Sequence, residues 1–113
     1  MSAFISSRQL LRTRNALQED MCRIQDLLCQ IQNSHTRNEE IFYLKCFFEY
    51  LRVHSALLFE HVGFRIKVLE KINDAKRTIR DGHYTSNRYI KSMEAAMKDV
   101  EFLIKERPVR NAL

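Results

Sequence analysis

The sequence predicts an all-α protein, an antiparallel bundle of three or four long helices in one domain, and three observations carry that prediction. Two glycines and one proline among 113 residues are too few for a sheet protein, which needs such residues at each tight reversal. Apolar residues recur at three- and four-residue intervals through three long stretches. Between those stretches lie short polar breaks of the residue types that start and stop helices. Apolar residues make up 45% of the chain and charged residues 29%, a balance that argues against disorder and for a single core.

The first helix, about residues 6–32, carries Leu10, Leu17, Ile24 and Ile31 at heptad spacing, with Met21 and Leu28 interleaved and Arg14 as the one lapse. Such a pattern serves either as a seam inside a bundle or as an intermolecular coiled coil. Asn33 is a suitable stop. In "NSHTRNEE", Thr36 followed three residues later by Glu39 forms a capping box that opens the second helix.

The second helix is expected over 37–80, continuous or kinked near Gly63. Its first half, "IFYLKCFFEYLRVHSALLFEHV", holds fifteen apolar residues out of twenty-two. Ile41, Leu44, Phe48, Leu51, Leu58 and Val62 form one stripe, and Tyr43, Phe47, Tyr50 and Leu57 a second apolar face. Lys45, Glu49 and Arg52 interrupt the run, which excludes a membrane span because each charge would be costly at that depth. The spacing continues through Ile66, Leu69, Ile72 and Ile79 to Asp81-Gly82, where Gly82 is expected in the left-handed cap conformation. A last helix, about 86–106, opens near Thr85 or Ser86 and aligns Ile90, Met93, Met97, Val100 and Ile104 before the stop at Pro108.

The chemistry-bearing residues do not assemble into a catalytic or metal-binding motif. Neither Glu-x-x-His nor His-x-x-x-His, the spacings that place two ligands on one helical face, occurs at His35, His54, His61 or His83. Glu19-Asp20 and Glu39-Glu40 are sequence neighbours, so they diverge by about 100° around a helix and do not converge on a substrate. There is no glycine-rich phosphate loop or nucleophile motif. The expectation is a protein without catalytic residues, metal or cofactor. Cys22, Cys29 and Cys46 lack Cys-x-x-Cys spacing, and "MSAFISSRQLLRTRN" lacks the apolar core of a secretory signal. Both point to a reducing intracellular compartment.

Two candidate surfaces remain. Tyr43, Phe47, Tyr50, Leu51, Arg52 and Leu57 form a candidate protein interface, because large aromatics dominate interface energetics. Arg65, Lys67, Lys71, Lys76, Arg77 and Arg80 concentrate positive charge in a chain of net charge +5. They flank the apolar stripe on both sides, as snorkelling side chains do, whereas a nucleic-acid footprint gathers its bases on one face.

The stretch "NEEIFYLKCFFEYLRVHSALLFEHV" resembles the central helix of the helical domain in GINS replication-complex subunits. Glu40, Ile41 and Tyr43 match its start, Tyr50, Leu51 and Arg52 its Tyr-Leu-Arg tripeptide, His54 its basic position and Glu60 its close. "YTSNRYIKSMEAAMKDVEFLIKE" is similar to the helix that follows. The resemblance implies a nuclear, non-enzymatic scaffold subunit that pairs with sister subunits through long helices and joins the replicative helicase. Two other readings are an unrelated coiled-coil or helical adaptor, such as a viral assembly subunit, and a basic helical nucleic-acid-binding protein. The expected partners are therefore proteins, in a hetero- or homo-oligomer, with nucleic acid as the alternative.

Overall fold

The computed structural model describes residues 7–60, 62–82 and 86–106, with side chains from residue 16 onward. The expectations for Leu10, Arg14, His61, His83, Thr85 and Pro108 lie outside the described residues or side chains. The fold is all-α, with five helices among the described residues: α1 (Ser7–Gln32), α2 (Arg37–Val53), α3 (Ala56–Glu60), α4 (Val62–Arg80) and α5 (Ile90–Glu106).

Local chemistry explains most of the boundaries. Ser34 Oγ donates to the Gln30 carbonyl as α1 ends. Thr36 caps α2 by accepting from the Glu39 backbone N–H at 3.1 Å. Glu39 reaches back to accept from the backbone N–H of His35, one residue before the cap, while Glu39 and Glu40 place negative charge in the first turn, where the helix dipole favours it. Gly82, at φ 80°, takes the left-handed conformation after α4. Asn87 sets the start of α5: its side-chain oxygen accepts from the Tyr89 N–H and its amide donates to Asn38. The last helix consequently begins at Ile90, a turn later than the sequence suggests.

The long helix expected over 37–80 is interrupted after Val53. α2 stops at His54 (φ −110°, ψ 67°), and α3 opens with the Leu58 N–H donating to the Ser55 carbonyl. One break falls at His54-Ser55; Gly63 lies in the first turn of α4 with nothing within 4 Å of where a Cβ would stand. Tertiary demand accounts for this. Leu51, Leu57 and Leu58 are all fully buried, and reversal after them lets Val68, Ile72 and Ala75 of α4 reach the same core.

Helix directions follow from side-chain pairs. Tyr50 of α2 meets Asp20 of α1, so these two helices are antiparallel. Asn38 meets Asn87 and Arg52 meets Asp99, so α2 and α5 run parallel. Arg65 donates to the Ile104 carbonyl and Lys76 to Glu101, making α4 antiparallel to α5. α2 and α5 are the most extensively packed pair, with α1 next against α2. Their seam contains Phe48, Leu51, Met93, Ala96 and Val100, all fully buried. Burial of each large side chain there stabilises the fold by about 1.5–3 kcal/mol relative to leaving it in water.

Candidate protein-interaction surfaces

The six residues of the sequence-derived interface separate by environment. Phe47, Leu51 and Leu57 are core residues, at 1%, 0% and 0% exposure, because α1, α4 and α5 cover the faces of α2 and α3 that carry them. Tyr43 and Tyr50 are half-buried and Arg52 is exposed. The Tyr50-Leu51-Arg52 tripeptide has an internal structural role. Tyr50 donates its hydroxyl to Asp20 of α1 at 2.7 Å, Leu51 enters the core, and Arg52 donates to Asp99 of α5 at 3.2 Å. Three successive residues, about 100° apart around the helix, thus tie α2 to both neighbours. Burial, reinforced by the Asp20 carboxylate, pushes the Tyr50 phenol up to about 12. His54 stacks on the Tyr50 ring at 4.4 Å, with Nδ1 3.7 Å from Asp20.

The six basic residues of α4 also diverge. Arg65 is half-buried and held by a backbone carbonyl, Lys76 is paired with Glu101 at 2.6 Å, and Arg77 with Asp74 at 2.6 Å. Lys67, Lys71 and Arg80 have no ion pair among the described residues. Lys67 and Lys71 border a depression of about 300 Å³ between α1 and α4, whereas Arg80 borders a larger groove of about 590 Å³ between α4 and α5. The basic residues are therefore spread over different sides of α4. The Lys76 ammonium, followed by Lys105, holds the Glu101 carboxyl below the usual range despite its partial burial.

A different surface emerges from burial. Val53, Phe102, Val62 and Ile66 are 71%, 63%, 54% and 53% exposed. Val53 closes α2, Phe102 lies near the end of the parallel α5, and Val62 and Ile66 stand one turn apart at the start of α4. Arg65, bonded to the Ile104 carbonyl, brings that start beside the end of α5. All four apolar side chains thus occupy one end of the bundle. From the same end α1 projects: Asp20 is level with the last turn of α2, so residues 7–19 run about 20 Å beyond it. At the opposite end the exposed Phe42 is partnered, edge-on to Tyr43 and Tyr89, with Lys45 and Arg88 over the Tyr89 ring.

Sequence spacing placed Val62 and Ile66 on core stripes, but the reversal before α4 rotates Val68, Ile72 and Ala75 inward instead. For Phe102 the available signal was a phenylalanine lying off the Met93–Ile104 stripe. Cys22 and Cys29 are exposed, Cys46 is half-buried, and burial pushes the Cys46 thiol up, disfavouring its reactive thiolate. Among the described residues no group of histidine, cysteine and acidic side chains has a metal-binding arrangement, and no helix is long and apolar enough to cross a membrane. Compared with models of protein families, with curated proteins and with solved structures, the chain matches none.

Proposed function

We propose that this protein is a non-enzymatic helical subunit of an intracellular protein assembly and that it joins the assembly through the apolar end of its bundle. The reading rests on four exposed apolar side chains, Val53, Val62, Ile66 and Phe102, carried by helix ends that lie at the same end of the bundle, since exposed apolar surface marks sites of association. The projecting half of α1 supplies a ledge beside the apolar end. A GINS-like replication scaffold in the nucleus is the specific form of this proposal. It rests on the resemblance of α2 and α5, whose parallel packing provides long helical surfaces. The three cysteines suit a reducing compartment.

The test is affinity purification of the tagged protein from its native cell, with mass spectrometry of what is retained, alongside the variant carrying Ile66→Ser and Phe102→Ser. Both substitutions are at exposed positions, so unchanged helicity and melting are expected. Discrete partners retained by the wild type and lost by the variant would support the reading. Recovery of GINS sister subunits or the replicative helicase would support the replication scaffold; a different assembly would replace it with an adaptor. A wild type that retains no partner, or a variant that retains them all, would count against the apolar end.

A further inference from the structure

The groove between α4 and α5 is lined on one side by Lys76, Ile79 and Arg80 and on the other by Lys91, Glu94, Ala95, Met97, Lys98 and Glu101. Its apolar lining comes from Ile79 and Ala95, with Met97 only 5% exposed behind it. Lys76 and Glu101 neutralise one another across it. On the remaining rim, Arg80, Lys91 and Lys98 have no ion pair among the described residues, against one similarly unpaired carboxylate, Glu94. From Lys91 to Glu101 the trough is about 15 Å long, the length of roughly three helical turns.

We propose that this groove receives an acidic amphipathic helix from a protein partner. Such a helix would lay an apolar stripe at i, i+3, i+4 and i+7 over Ile79 and Ala95. Acidic residues flanking the stripe meet Arg80, Lys91 and Lys98, and one basic residue meets Glu94. The apolar lining favours this occupant over nucleic acid: a phosphate backbone would meet Arg80, Lys91 and Lys98 but leave Ile79 and Ala95 unused. The inference rests on the reading above only in taking the partner to be a protein, and its surface is separate from the apolar end.

The experiment selects binders to the intact protein from a phage-displayed library of helix-stabilised fourteen-residue peptides, then measures the enriched peptides by fluorescence anisotropy. The comparison proteins carry Lys91→Glu with Lys98→Glu, or Ala95→Tyr to fill the trough without changing charge. All three positions are exposed, and circular dichroism verifies folding. The expected result is enrichment of acidic-flanked apolar helices that weaken about tenfold or more in both variants, as charge reversal and steric blockage predict. Enriched peptides without acidic flanks, peptides indifferent to the variants, or no enrichment would overturn the proposal. A fluorescent oligonucleotide run in parallel identifies the alternative: salt-sensitive binding lost on lysine reversal, without peptide enrichment, would assign the rim to nucleic acid. None of these failures alters what the Ile66 and Phe102 substitutions report about the apolar end.

Discussion

α5 forms two seams of opposite character. Its fully buried residues Met93, Ala96 and Val100 belong to the core it shares chiefly with α2, its most extensively packed neighbour. Towards α4 it presents Lys98 and Glu101, and long side chains span the gap, with Lys76 reaching Glu101 and Arg65 reaching the Ile104 carbonyl. One helix is thus fixed by apolar packing on one flank and joined through polar bridges on the other. The first seam accordingly supplies more of the stability than the second.

The largest way to break this contrast is Met93→Ala, which leaves a cavity in the closed seam. It should cost about 2–5 kcal/mol, measured as a lower midpoint in urea unfolding. Tyr50→Phe, on the α1 side of α2, removes the bond to Asp20 and should cost about 1 kcal/mol near neutral pH. Because the folded phenol titrates near 12, above its ordinary 10, its contribution is present below pH 10 and lost as pH rises through 12. Phenolate absorbance should therefore lose its component near 12 in the variant.

At the open seam, Glu101→Gln should cost only about 0.5 kcal/mol near neutral pH. The Glu101 carboxyl is held below its ordinary value of 4.5 by Lys76. Its stabilising effect is accordingly present above that value and lost as pH falls through the lower folded value. Urea unfolding of wild type and variant should converge in acid; a difference that persists there would show that the pair is not what the substitution disturbs. The smallest effect is expected from Gly63→Ala. It meets open space and lies near a helix start, where only part of the interior propensity difference of about 1 kcal/mol applies. Its melting temperature should rise slightly, whereas a fall would reveal a close contact at that position.

Elements governed by local chemistry were legible in the sequence. Thr36 and Glu39 announced the start of α2, Gly82 the end of α4, and the stripe of Met93, Met97, Val100 and Ile104 the buried face of α5. The break at His54-Ser55 was not legible, because no glycine or proline marks it and helical spacing continues across it. It exists because α4 must reverse to cover a core already built by α1, α2 and α5. The same reversal sent Phe47 and Leu57 inward and left Ile66 outside. The groove was hidden for a related reason: helical periodicity shows which face of α5 is apolar, but not how far its neighbour stands from it.

The parallel pairing of α2 and α5 has a consequence for the newborn chain. Its contacts join residues 47 and 49 positions apart, so the ribosome must add some fifty residues after α2 before the seam can close. At about 5–20 residues per second, that delay is about 3–10 s. Until then Phe48 and Leu51 lack the partners supplied by α5. An α1–α2 hairpin, tied through Tyr50 and Asp20, can assemble first, but its unfinished apolar flank offers a binding opportunity to a chaperone or to an assembly partner engaging during synthesis.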